Sequence, residues 1–185
     1  DKAKEHCAKA ISLLKEAPDY DTVMGIEGRI AKSYFAAYFD ELGWKARCPR
    51  AKTDPVNVTL DIGYTILFNY VEAFVRLFGF DPYIGVYHRL WFRRKSLICD
   101  LMEPFRCIID QQVRKAFNTK QCKDEDFLLF KNEYVLKREK NSDYTHMFYD
   151  VLIEYKSDVF RYVRSYYRCF MQRKSVPDYP TFNIN

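Results

Sequence analysis

Glycine is scarce in this chain, with six in 185 residues. Barrels and sandwiches need many tight turns, and tight turns draw on glycine, so a β-rich design is disfavoured. Persistent disorder is disfavoured too, because hydrophobic residues make up 48% and Phe and Tyr number 15 each. No Cys-x-x-Cys pair occurs among Cys7, Cys48, Cys99, Cys107, Cys122 and Cys169, and none of them clusters with histidine in zinc-ligand spacing. Their even number would suit disulfides, but the chain is neither short nor loop-rich. Cys99, Cys107 and Cys169 also fall within helical patterns, so reduced thiols and a cytoplasmic location are expected. The sequence opens without a charged segment leading into an apolar one, so no signal peptide is expected. The longest apolar runs stop well short of about 18 residues, and no membrane span is expected. The net charge of +5, from 30 basic and 25 acidic residues, is too mild to select a polyanion partner by itself.

What remains is a helical pattern. Residues 2–16 carry Ala, Leu and Ile at helical spacing and end before Pro18. Asp19 or Asp21 caps a second helix, from Thr22 to Leu42, with Gly43 as its stop. Residues 44–53 form a basic connector with Lys45, Arg47, Arg50 and Lys52. Asp54-Pro55 starts a strongly apolar helix that runs to Phe78 and closes at Gly79, fit for the middle of a domain. Asp81-Pro82 opens a short segment to His88, followed by a basic, aromatic loop of Arg89, Trp91, Arg93, Arg94 and Lys95. Ser96 is placed to cap a helix ending near Phe117. Residues 118–126 read as loop, 127–136 as either a short strand or an irregular turn, and Ser142 to Arg173 as one long helix. The fold class is all-α: a single helical domain over 1–175, of about six to eight helices with room for one small hairpin. Residues 176–185, with two prolines and no periodicity, read as a tail.

Four ionisable residues stand where apolar patterning does not ask for them: Glu27, His88, Asp100 and Glu103. Burying an unpaired charge is costly, so each needs a compensating partner. Asp100 and Glu103 are three apart on a predicted helix and share a face, where two carboxylates either share a proton or share a cation. The plainer reading is a solvated helix face, although Leu97, Leu101, Pro104 and Phe105 surround the pair. His88 alone reads as a surface or hydrogen-bonded histidine. Glu27 alone reads as a packing neighbour of Gly25 and Gly28, whose lack of Cβ permits close approach of a helix or a DNA strand. Taken together, one imidazole and two or three carboxylates suit a hard divalent ion, Mg²⁺ or Mn²⁺. Such an ion would polarise a phosphodiester for attack by water or a DNA 3′-hydroxyl.

A nucleic-acid track is also legible. The loop from Arg89 to Lys95 adjoins His88, and the connector adds charge. Arg161, Arg164 and Arg168 form one stripe at helical spacing, interleaved with Tyr162, Tyr166 and Tyr167. Arginine binds phosphate bidentately and tyrosine stacks on bases, although a solvated helix face would look the same. A DNA-binding or assembly protein without chemistry is therefore a second reading. A helical-bundle metal oxidoreductase is a remote third, because its Glu-x-x-His pairs are missing.

The order Met24-Gly25-Ile26-Glu27-Gly28, Asp54-Pro55-Val56-Asn57, Gly85-Val86-Tyr87-His88, then Asp100-Leu101-Met102-Glu103-Pro104-Phe105-Arg106 resembles the CRISPR-associated adaptation integrases. The likeness is strongest over residues 20–115. It implies that Glu27, His88 and Glu103 ligate the metal, with Asp100 as a supporting acid and Arg106 as a basic residue just beyond the last ligand. It implies supporting positions at Asn57 and Tyr64. Phe68 stands where some members carry tyrosine, so no hydroxyl role transfers there. The implied activity is metal-dependent integration of short DNA pieces (prespacers) into a CRISPR repeat by 3′-hydroxyl attack, with nuclease activity besides. The implied assembly is a homo-oligomer, a dimer or tetramer, around a small ferredoxin-like partner. The family begins with a β-rich domain that nothing here resembles, so the chain is expected to be either a piece of a longer protein or a short form.

Overall fold

The structure, a computed structural model, describes residues 2–49 and 51–184. Arg50 of the expected connector lies outside the described residues. Two compact units divide the chain, Asp1–Lys52 and Thr53–Asn185.

The first unit is a helix pair. Helix α1 (Lys2–Lys15) packs on α2 (Tyr20–Tyr38). Asp19 is the cap: its Oδ1 accepts from the Thr22 amide at 2.7 Å, and hydrogen bonding to Thr22, through the side chain first and the amide second, lowers the carboxyl pKa. Helix α2 ends earlier than its periodicity suggests. A short 3₁₀ turn, Asp40–Leu42, follows and is closed by Gly43 in the left-handed region at φ 63. That turn lets Trp44 fold back onto Phe35 and Phe39 with ring centroids 5.8 and 5.2 Å away. Packing of large rings thus overrides helix propensity at Phe39–Leu42.

The second unit is organised around α3 (Pro55–Leu77), which contacts α4 (Ser96–Met102), α5 (Arg106–Asn118), α6 (Asn141–Glu154) and α7 (Lys156–Met171). Its start is as expected, with Pro55 in the first turn and Asp54 accepting from the Asn57 amide at 2.7 Å. Leu60, Leu67, Val71 and Val75 are fully buried. At Gly63 a Cβ would lie 2.5 Å from Ile109 and 2.7 Å from Phe148, so only glycine lets α5 and α6 close on α3. The premise that every apolar run stops well short of about 18 residues needs correction, since by length and composition alone α3, of 23 residues, is long and apolar enough to cross a membrane. Half of that stretch is buried inside the fold, however, as befits a core helix.

Two expected helices of the second unit are each broken, and one open stretch is resolved. The helix expected over 96–117 is broken by a 3₁₀ turn at Glu103–Phe105, because Pro104 has no amide to donate and its ring crowds the preceding turn. The long helix expected over 142–173 is two helices meeting at Tyr155, with no proline or glycine to mark the break. The bend lets α6 and α7 both reach α3. The ambiguous stretch 127–136 is a hairpin, β1 (Phe127–Phe130) antiparallel to β2 (Glu133–Leu136). Lys131 and Asn132 at its tip both have positive φ, the turn that matches strand twist. The class is nonetheless all-α with one small hairpin. All six cysteines are free thiols. The presumed tail is not wholly loose, since Phe182 packs on Phe105 with centroids 4.6 Å apart and Tyr179 meets Tyr166 at 5.1 Å.

Candidate active site

Asp100 is the centre of the second unit's polar cluster. It stands on α4, and its carboxylate closes the segment 86–88 against that helix. Oδ2 accepts from the backbone amides of Val86 at 2.6 Å and Tyr87 at 3.1 Å. Oδ1 accepts from the His88 amide at 2.9 Å and faces His88 Nδ1 at 2.6 Å. A carboxylate accepts, so Nδ1 carries the proton, and in the neutral imidazole the lone pair is then on Nε2. Gly85 makes this closure possible, because a Cβ there would sit 2.7 Å from Asp100 Oδ2, His88 O and Ser96 Cβ alike. The structural task of Gly85 is thus close approach.

Glu103 begins the 3₁₀ turn one turn beyond Asp100. The pair was expected to share one proton or one cation, but here each carboxylate has its own partner. Both Glu103 oxygens lie 3.0–3.1 Å from Arg106 Nη1, and the Glu103 side chain stays 38% exposed. Arg106 in turn stands 4.4 Å above the Tyr64 ring, and the Tyr64 hydroxyl donates to Asp110. Burial, reinforced by the Asp110 carboxylate, raises the Tyr64 pKa well above the usual phenol range. Asn57 is fully buried and donates through Nδ2 to Asp54 Oδ2 at 2.6 Å, so it braces the start of α3. Tyr166, on α7, has its phenol pushed up to about 12 by burial first, with Tyr179 and Asp100 adding to it.

Glu27 lies half-buried on α2 in the first unit. A Cβ at Gly25 or Gly28 would meet nothing within 4 Å, so no described residue makes the expected close approach there. Among the described residues, no group of three or more His, Cys, Asp or Glu side chains is gathered into a metal-holding cluster. The donors do suit a hard divalent ion. His88 Nδ1 is fixed by a carboxylate, as metal-bound imidazoles commonly are, and the Glu103 carboxylate remains partly open.

The basic residues divide into two groups. Arg89, Arg93 and Arg94 are exposed on the loop, and Arg161, Arg164 and Arg168 are exposed on α7. Lys95 is held instead by Glu72 on α3, with its Nζ 2.8 and 2.6 Å from the two carboxylate oxygens. That contact, with help from Arg76, keeps the Glu72 pKa low. The interleaved tyrosines are engaged inside the fold. Tyr162 packs on Phe105, Tyr167 stacks on Phe78, and Tyr166 meets Phe80. Sequence reasoning missed Asp110 and Glu72. Asp110 lies 46 residues from Tyr64, beyond any local spacing rule. Glu72 carried only an i,i+4 signal toward Arg76.

Comparison with known proteins bears on this cluster. The family model described as CRISPR associated protein Cas1 matches residues 1–150. A Cas1 endonuclease of Thermodesulfovibrio yellowstonii is 38% identical over 133 residues, covering 69% of this chain and 42% of that protein. A Cas4 exonuclease/Cas1 endonuclease fusion of Leptospira interrogans is 31% identical over 164 residues, covering 84% of this chain and 30% of the fusion. The chain thus spans under half the length of these two relatives. Among solved structures, a CAS1 protein from Thermotoga maritima superposes with a TM-score of 0.82 at 21% identity, covering all of this chain and 60% of that one. A casposase bound to its integration product superposes equally well, at 0.82 and 21%, over 96% of this chain and 56% of the casposase. These structural likenesses concern the fold, whereas the family match covers most of the sequence, including Glu27, His88, Asp100 and Glu103. The chain belongs to the CRISPR associated protein Cas1 family.

Proposed function

We propose that this chain supplies the helical catalytic part of a metal-dependent DNA integrase and endonuclease. Its reaction is attack of a prespacer 3′-hydroxyl, or of water, on a phosphodiester of a CRISPR repeat. The observation that carries the reading is the His88–Asp100 pair, in which a buried carboxylate fixes the imidazole tautomer and leaves Nε2 as a donor. Glu27, His88 and Glu103 would hold Mg²⁺ or Mn²⁺. The ion, when bound, supplies Lewis-acid polarisation of the phosphodiester and an oxygen nucleophile near neutral pH. The chain's own residues do the rest. Asp100 keeps the proton on Nδ1, Arg106 Nη1 holds the Glu103 carboxylate in place, and Arg89, Arg93, Arg94, Arg161, Arg164 and Arg168 offer guanidinium groups to DNA phosphates.

The relatives' name as endonucleases and the casposase's state, bound to an integration product, support the chemistry. A structural neighbour with a TM-score of 0.86 is a Cas6-RT-Cas1–Cas2 complex, which supports a Cas2-type partner and an oligomer here. A cytoplasmic location belongs to the same reading.

The test is a gel assay on branched DNA with and without Mn²⁺. Glu27→Ala, His88→Ala and Glu103→Ala should each abolish strand transfer while circular dichroism reports an intact fold. Joined ends produced by any of these variants would refute the ligand set. Salt-sensitive DNA binding by the unaltered protein, with no metal-dependent product, would instead favour a DNA-binding assembly protein without chemistry.

A further inference from the structure

Two buried aspartates of the second unit, Asp110 and Asp126, each accept from a tyrosine hydroxyl. Tyr144 donates to Asp126 at 3.0 Å, in a pair whose neighbours are Cys122 and Lys140. Tyr64 donates to Asp110, which is only 3% exposed. Burying a carboxylate is costly, and a neutral acceptor would satisfy a phenol as well. The two pairs differ in what the tyrosine carries. The face of the Tyr64 ring supports the Arg106 guanidinium, whose carbon lies 4.4 Å from the ring centroid. Arg106 Nη1 in turn donates to both Glu103 oxygens, at 3.1 and 3.0 Å.

These four side chains form one relay. Glu103, Arg106 and Asp110 are three and four residues apart along the 3₁₀ turn and α5, so they share a side, and Tyr64 meets that side from α3. The inner end is firm, because Asp110 and Tyr64 are buried where α3 packs on α5. The outer end is not, because the Glu103 side chain is partly exposed on the turn that Pro104 breaks from the helix. A long, part-exposed side chain keeps one orientation only if something outside it restricts its rotamers. Arg106 is itself long and part-exposed, so it can restrict Glu103 only if it is held in its turn. The Tyr64 ring, fixed by its hydrogen bond to a buried anion, gives the guanidinium a plane to lie on. The anion also polarises the phenol O–H, which makes the ring a better partner for a cation.

We infer that Asp110 is a positioning residue: through the Tyr64 ring and the Arg106 guanidinium it holds the Glu103 carboxylate ready for a divalent ion. This rests on the proposed role of Glu103 as a ligand and deepens it, since it extends the site into the core.

Two measurements test the relay. In the metal-free protein, nitrogen-15 spectra of the Arg106 guanidinium should show restricted rotation, which Asp110→Asn and Tyr64→Phe should each release. Mn²⁺ binding, read from the electron paramagnetic resonance of the free ion, should weaken by about tenfold in both variants, the low end for groups that brace a metal ligand from outside. Strand transfer should recover at saturating Mn²⁺. In an Arg106→Lys background Asp110→Asn should add no further weakening, because its route to Glu103 is already cut. Asp126→Asn, at the other buried pair, should lower the melting temperature and leave Mn²⁺ affinity unchanged. Unchanged Arg106 rotation and Mn²⁺ affinity in Asp110→Asn, or in Tyr64→Phe should the aspartate variant not fold, would overturn the inference. Equal weakening by Asp126→Asn, or additive weakening in the Arg106→Lys background, would overturn it too, by making Asp110 a stabilising residue only. Failure of the unaltered chain to bind Mn²⁺, with Arg106 rotation still restricted by Asp110, would instead bring down the proposed ligand set and, with it, the task assigned to Asp110.

Discussion

His88 Nδ1 and Asp100 Oδ1 are 2.6 Å apart, and the same carboxylate takes three backbone amides from residues 86–88. All four of its contacts are donors, so the site is built for a group that only accepts.

Asp100→Asn tests that arrangement. One end of the amide would turn an NH₂ toward N–H groups, either the two backbone donors or the His88 side. The expected result is a loss of about 10–100-fold in strand transfer, the range seen when a carboxylate behind a metal-bound histidine is removed. Long-range proton–nitrogen correlation spectra should show His88 losing its fixed Nδ1–H tautomer. Unchanged activity with an unchanged tautomer would show that Asp100 does not orient the imidazole.

Gly85→Ala should fail for steric reasons. The added methyl meets three atoms at 2.7 Å, two of them in Asp100 and His88 themselves. Overpacking of this kind costs about 1–3 kcal/mol. Thermal melting should register that loss, and DNA joining should fall further than stability does, because the displaced group is the carboxylate that holds the imidazole. A fully stable, active variant would contradict the closure described here.

Phe182 reports on the docked C-terminal segment. It is half-buried against Phe105, with Tyr155 also near at 6.3 Å. Phe182→Ala should lower stability by about 1–2 kcal/mol, from lost apolar burial and ring contact. In a urea titration the midpoint should fall at constant slope. A solvated tail would give no measurable change.

Cys122 should resist alkylation. Burial pushes its thiol up to about 11, from the ordinary value of 9.0. The neutral thiol is thus the form the fold favours. Its contribution to stability is complete below the unfolded value and fades as pH rises through 9 toward 11. Maleimide at pH 8 should label Cys122 only after unfolding, as read by peptide mass spectrometry. Rapid labelling of the native protein would show that the pocket beside Met147 opens readily.

Local chemistry was legible along the chain wherever a rule acts over a few residues. The Asp19 and Asp54 caps, the stop near Gly79, the apolar α3 and the motif residues around His88 and Glu103 all follow from spacing and side-chain type. The breaks at Tyr155 and after Tyr38 were not legible, since no proline or glycine stands at either, and the causes are the packing of Trp44 on Phe35 and Phe39 and the reach of both α6 and α7 to α3. The site behaved likewise. Residue types named His88, Asp100 and Glu103, but spacing suggested two carboxylates sharing one counter-charge, while the fold gives Asp100 a turn of backbone amides and Glu103 an arginine.

Sequence alone determined the helical class, the position of the core helix and the identity of the chemically capable residues, because propensity, capping and periodicity are short-range properties. Tertiary structure alone decided how those residues are used. It turned Lys95 toward Glu72, drew Tyr162, Tyr166 and Tyr167 inward, and left Trp91 and Phe92 in water. Each of these outcomes depends on which distant groups arrive alongside, and burial and pairing energies between elements exceed the local preferences that a reader of the chain can count.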